Sequence, residues 1–224
     1  MSNIGSYEER LKDFDWSIAK KELSWVEGAP INIGYFCSDR NCELGLGSKL
    51  ALIWESFSGE VKKYTFEDLK IHSNSFAHLL SRKLGLKKGE RIVIFMDKIP
   101  ELYFSFLGIL KMGGIAVPLF SAFGEESLLT RLQNCKASAV LTTRKLVPRI
   151  RKIKDKLPDL RHVVVMSEDE GIPVKEREMA FSFSKAPRIE SFESHPSTAE
   201  TPSVLHYTSG TTGQPKGALH VHSS

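Results

Sequence analysis

Between residues 91 and 166 the chain alternates short apolar runs with longer amphipathic ones. β-rich runs at 91–96, 115–119, 138–142 and 162–166 predict strands, and the segments between them at 100–112, 125–136 and 145–157 predict helices. Pro100 suits a first helical turn, Gly113 a helix end and Pro158 a stop. Strands linked by crossovers of this length pair in parallel with right-handed connections, so the expected fold class is α/β, a βαβ-wound sheet with helices on its faces. In such sheets ligands gather beyond the carboxyl ends of the strands. Those ends fall at Asp97, at 120–123, at 142–144 and at Ser167.

The flanking segments are less regular. Two β-type runs at 51–55 and 61–64 surround Ser58-Gly59, a hairpin signal. Thr65 and Asp68 then have the spacing of a capping box. The helix they open places Leu69, Phe76, Leu80 and Leu84 on roughly one face and is expected to stop at Gly85. Residues 1–45 carry scattered aromatics and charges without sustained periodicity, as an arm packed on a larger body would. Residues 46–166 form the main βαβ unit, and 167–202, rich in Glu, Ser and Pro, are expected to be a long surface connection with short elements at most. Residues 203–224 resume a strand pattern and are expected to begin a further subdomain.

Composition narrows the class. With 224 residues, 41% hydrophobic and 26% charged, the chain has ordinary globular usage, which excludes a disordered, collagenous or coiled-coil protein. A net charge of +4 suits a protein that handles small anions and is too low for a nucleic-acid footprint. The stretch 102–123 is apolar enough to imitate a membrane span. Lys111 lies inside it, however, and a lysine at a bilayer centre costs roughly 2.5–3.5 kcal/mol. A helix followed by a buried strand is expected instead, with no membrane partner. Residues 1–20 lack the apolar core of a secretory signal. Cys37, Cys42 and Cys135 are too few for a disulfide framework and lack a second close Cys/His pair for zinc, so reduced thiols in a cytoplasmic protein and no metal site are expected.

Residues 207–217, Tyr-Thr-Ser-Gly-Thr-Thr-Gly-Gln-Pro-Lys-Gly, combine three glycines, four aliphatic hydroxyls and one lysine. Glycines let backbone amides approach phosphate oxygens, hydroxyls donate to those oxygens, and a lysine ammonium neutralises their charge. The string departs from the Walker pattern: Gly217 follows the lysine where a Ser or Thr would hold magnesium. Residues 218–222 alternate like a strand, so the loop is expected to join two strands and bind phosphate without a helix dipole behind it. His220 and His222 fall on one face by this alternation.

This string resembles the signature loop of the adenylate-forming superfamily, which includes acyl-CoA synthetases, peptide-synthetase adenylation domains and luciferases. Phe14-Asp15-Trp16, Cys37-Ser38-Asp39-Arg40, 91–96 with Pro100-Glu101, 120–123 with Arg131, and the brackets Leu205-His206-Tyr207 and His220-Val221-His222 are similar to the N-terminal part of its AMP-forming acetyl-CoA synthetases, in the same order. The resemblance implies a ligase that activates a short-chain carboxylate such as acetate with ATP and transfers the acyl group to CoA. It implies phosphate contacts from Thr208, Ser209, Gly210, Thr211, Thr212, Gly213 and Lys216, and a place for His222 in the nucleotide or acyl cleft. CoA contacts would come from Phe120, Ser121, Ala122, Arg144 and Arg149. Magnesium would share the phosphate charge, but its protein ligand, the acyl pocket and the lysine that catalyses adenylation fall beyond Ser224 in that family. The chain is therefore expected to be the front part of such a ligase, inactive alone. Another adenylating enzyme, with a medium-chain acid or as an adenylation domain, and a non-catalytic nucleotide- or CoA-binding protein remain open alternatives.

Overall fold

Four short helices open the chain: α1 (Tyr7–Asp13), α2 (Trp16–Glu22), α3 (Ile33–Phe36) and α4 (Asp39–Glu43). The computed structural model describes residues 6–167, 174–209 and 215–224, so Gly210, Thr211, Thr212 and Gly213 lie outside the described residues. α1 and α2 leave Tyr7, Leu11 and Trp16 exposed, whereas α3 and α4 press on the body through buried Asn32, Ser38 and Asp39. The expected hairpin follows as antiparallel β1 (Leu50–Glu55) and β2 (Val61–Thr65), turning through Gly59 at φ +85°. Its Trp54 Nε1 donates to Lys98 O at 2.7 Å, fastening the hairpin just beyond Asp97.

Thr65 and Asp68 form the capping box: the threonine hydroxyl accepts from the Asp68 amide, and the Asp68 carboxylate accepts from the Thr65 amide. The helix they start, α5 (Phe66–His78), continues into one π-helical turn over Leu79–Lys83 before Gly85 ends the run at φ +65°. Next come β3 (Arg91–Phe95), α6 (Pro100–Lys111), β4 (Ile115–Leu119), α7 (Glu125–Asn134), β5 (Ala139–Thr143), α8 (Val147–Ile153) and β6 (His162–Met166). α8 begins later than the sequence pattern predicts, with Pro148 in its first turn, and tightens into a 3₁₀ turn over Lys154–Lys156.

The last three strands are β7 (Glu178–Phe181), β8 (Pro202–Ser209) and β9 (Pro215–Val221). Seven strands make one sheet in the order β7-β6-β5-β3-β4-β8-β9, parallel throughout except for the β8–β9 pair. The pleat sorts the apolar runs onto two cores. Ile92, Ile94, Leu141 and Val164 face the cluster that holds Phe76 and Phe104 from α5 and α6. Val93, Phe95, Val140 and Val163 face the cluster of Leu128, Leu132 and Ile150 from α7 and α8. Residues 174–202 do more than connect. β7 extends the sheet edge, Phe183 is buried in the first core, and Ser75 Oγ donates to Pro187 O at 2.7 Å.

The chain leaves β3 for α6 on one face and leaves β4, its neighbour, for α7 on the other. Where such connections diverge, the strand ends open into a crevice. That places the site.

Candidate functional site

Asp97 and the 120–123 segment sit at this divergence. The Ser121 hydroxyl and the Lys145 ammonium (3.1 Å) both reach the Asp97 carboxylate and hold its pKa below the usual carboxylate range. Arg149 reaches over from α8, its Nη1 donating to Ser121 O at 2.8 Å and Phe123 O at 3.0 Å. Phe120 is exposed, with its ring edge-on to Phe123 at 5.9 Å. The Arg131 guanidinium covers Phe123 at 4.2 Å. Arg144, exposed, and Ala122 complete this edge. Thus Phe120, Ser121 and Arg149, distant in sequence, come together.

Arg149 is partly committed to ordering the segment. Arg144 and Lys145 supply further positive charge beside it. Thr142 and Thr143 close the floor with buried hydroxyls that find no hydrogen-bond partner among the described residues. Three cations against the single Asp97 carboxylate suit a polyanion.

The second half of the site is the β8–β9 pair. Its register sets Thr208 opposite Lys216 and Ser209 opposite Pro215, so the two strands close on residues 210–214. The expected strand–loop–strand arrangement is present. Thr208 and Lys216 are exposed at the mouth, and the Thr208 hydroxyl points toward Lys216 O at 3.5 Å. Tyr207 and Leu205 turn to the opposite face and pack on the α7/α8 core. Gly217 makes room for them, since a Cβ there would stand 2.9 Å from Leu205 Cδ1. Tyr207 Oη donates to Asn134 Oδ1 at 2.6 Å, tying the base of the loop to α7. The described strands offer hydroxyls and an ammonium, which fit phosphate oxygens. They carry no carboxylate, so the described strands supply no anionic ligand for a magnesium ion. Among the described residues, no cluster of three His, Cys, Asp or Glu side chains could hold a metal.

His222 departs from the alternation. β9 ends at Val221, and His222 turns inward to 3% exposure while His220 stays exposed. Its Nδ1 accepts from Ile33 N at 3.1 Å, which leaves the proton on Nε2, buried with no partner among the described residues. Burial, with His195 nearby, lowers its pKa to about 4. This neutral ring pins the strand after the loop to the N-terminal arm. Asn32, next to Ile33, donates to Leu110 O and His195 O from the same arm.

Sequence reasoning missed this junction, together with buried Lys111 at its centre. Lys111 donates to Asn74 Oδ1 at 2.6 Å and pairs with Asp39. A lysine inside an otherwise apolar helix was the available signal.

The geometry agrees with comparison to known proteins. The AMP-binding enzyme family matches residues 42–224, from α4 through the loop. This chain belongs to that family. The acetyl-coenzyme A synthetase of Bacillus subtilis (strain 168) is 40% identical over 222 residues, covering 98% of this chain and 38% of that protein. The 3-hydroxypropionyl-coenzyme A synthetase of Sulfurisphaera tokodaii is 32% identical over 209 residues, covering 88% and 31% respectively. Among solved structures, the anthranilate CoA ligase AuaEII in complex with anthranoyl-AMP superposes with a TM-score of 0.73 at 29% identity, covering 87% of this chain and 35% of that one. An acyl-CoA synthetase of Brucella canis superposes with a TM-score of 0.76 at 24% identity, covering 95% and 37%, which supports the fold alone. The chain spans about a third of the length of the curated relatives it matches. No described helix is long and apolar enough to cross a membrane.

Proposed function

We propose that the chain is the nucleotide- and CoA-side portion of a ligase that activates acetate or a similar short-chain carboxylate with ATP and passes the acyl group to CoA. The observation that carries this reading is the in-register β8–β9 pair, which sets Thr208 and Lys216 across the mouth of a Gly/Thr loop. In the first step a carboxylate oxygen bonds to the α-phosphorus as the bond to the bridging oxygen breaks, and that electron pair leaves with pyrophosphate. Charge builds on the leaving phosphates, and donors already aimed at them lower the barrier. Thr208, Ser209, the loop residues Gly210, Thr211, Thr212 and Gly213, and Lys216 fill that role. In the second step the CoA thiolate bonds to the acyl carbon and the bond to AMP breaks. Phe120, Ser121, Ala122, Arg144 and Arg149 face the CoA nucleotide, whose anionic groups match the cationic strand ends. His222 acts by holding the strand after the loop. Residues 1–45 are the arm, 46–166 the CoA-side unit, 167–202 the connection, and 203–224 the start of the next subdomain. The choice of acetate rests on what the relatives are called.

Titration calorimetry with ATP tests the loop. The chain is expected to bind ATP, and Lys216→Ala to weaken binding about tenfold, since a hydrogen bond to a charged group contributes about 1.5–3 kcal/mol. ATP binding that is absent, or unchanged in the variant, would remove the loop from the reading. ATP–pyrophosphate exchange with acetate is expected to be absent for the 224-residue chain alone. Turnover by it would show that the catalytic groups are already present.

A further inference from the structure

At the end of the sheet opposite the strand-end crevice lies a second, open cavity of about 380 Å³. Leu86–Lys88 precede β3 and Met112 precedes β4, so the cavity sits beneath the amino ends of the two central strands. Its floor is apolar: Leu86 and Met112 are buried, and Phe192 packs against the same core. Its mouth carries Arg82, Lys87 and Lys88, all exposed, and among the described residues none of the three is ion-paired. Arg82 projects from the π-helical turn, a widened turn often found at functional sites. His195 forms one wall, its ring seated on Gly113, where a Cβ would come within 2.7 Å of the imidazole Cγ. Burial and the Lys88 charge lower the His195 pKa. Beside it the Ser194 hydroxyl is buried with no partner among the described residues. Glu193 is the one acidic residue among the described lining.

We infer that this cavity is a second ligand site, for an organic phosphate monoester whose apolar body rests on Leu86, Met112 and Phe192 while Arg82 and Lys88 take the phosphate. Three cations against one carboxylate leave a net charge of +2, matching a phosphate dianion. The volume falls within the range of small-molecule pockets, about 300–1,000 Å³. An apolar floor beneath a cationic mouth selects against free phosphate, which gains nothing from the floor. The site is separate from the β8–β9 loop and stands whatever that loop binds.

Phenyl phosphate serves as the probe, with inorganic phosphate for the head alone, followed by titration calorimetry and amide NMR shifts. Saturable binding of phenyl phosphate is expected, at least tenfold tighter than inorganic phosphate, with shifts centred on residues 82–88 and 192–195. The double variant Arg82→Glu/Lys88→Glu changes two exposed side chains and should keep the wild-type circular dichroism and Tm while losing at least tenfold in affinity. Lys216→Ala should bind the probe as the wild type does. Absence of binding, equal affinity for inorganic phosphate, unchanged affinity in the double variant, or loss in Lys216→Ala would each overturn the assignment.

Discussion

Replacing Asp39 with alanine is expected to lower the unfolding free energy by about 3 kcal/mol near pH 7, and by much less near pH 10.5. Lys111, at the last turn of α6, is fully buried, and its ammonium meets the Asp39 carboxylate and Asn74 Oδ1. Desolvation drives its pKa down from 10.5 to about 8, and Asp39 opposes that fall. Removing one member of a buried pair typically costs about 3–5 kcal/mol because the survivor stays charged without a partner. The lower figure applies because Lys111 can shed its proton. The sign of the pH dependence follows. Below pH 8 both folded and unfolded chains hold the proton, so Lys111 adds no slope. Between about 8 and 10.5 the unfolded chain binds more protons than the folded one, and stability rises with pH. Without Asp39 the folded pKa falls further, so the deficit of the variant shrinks as the pH rises to about 8 and stays small above it, where Lys111 is neutral in both folded proteins. Urea unfolding of both proteins at pH 7 and pH 10 reads this directly. A deficit that is equal at the two pH values would mean that Asp39 acts by packing and not by charge. Because Asp39 lies on α4, the same variant should loosen the arm that bonds to His222.

The central strands were legible because their apolar runs are short, dense and bounded by Pro and Gly; β3, β4, β5 and β6 begin and end within a residue or so of the predicted limits. The hairpin and the capping box were legible because their chemistry is local. β7 was not, because a four-residue edge strand carries too little pattern to stand out from a polar connection. The burial of Phe183 and of Lys111 depends on partners far away in sequence, such as His72 and Asp39, which no window along the chain brings together. The site divides in the same way. Residues 207–217 announce a candidate phosphate loop by composition, and the strands on either side of it follow from alternation. That Arg149 spends two hydrogen bonds on the 120–123 backbone, and that His222 turns under Ile33, are tertiary facts. Periodicity put His222 on the face of His220 because it could not see that β9 stops one residue earlier.

Phe104→Ala is expected to cost about 4 kcal/mol, within the usual 3–5 kcal/mol for removing a buried phenylalanine. Phe104 is 2% exposed, and its ring meets three others: Tyr64 edge-on at 5.1 Å, His72 stacked at 4.5 Å and Phe183 edge-on at 5.3 Å. These four rings come from β2, α5, α6 and the segment after β7, so one side chain joins four elements of the same core. Aromatic pairs add about 0.5–1.5 kcal/mol each beyond the area they bury, and alanine forfeits all of them as well as leaving a cavity. Phe104→Leu refills most of the volume but forfeits the same three ring pairs, so it should lose about 1.5–3 kcal/mol, and the gap between the two variants separates filling from ring geometry. Denaturant unfolding of both variants checks the magnitudes, and a loss below about 2 kcal/mol for the alanine would show that the surrounding rings collapse into the gap. The consequence reaches the candidate site. The hairpin held by this cluster also holds Lys98 O through Trp54, one residue from Asp97. A loosened hairpin should therefore free the turn that presents Asp97 to Ser121 and Lys145 and weaken the CoA binding proposed for this edge more in Phe104→Ala than in Phe104→Leu.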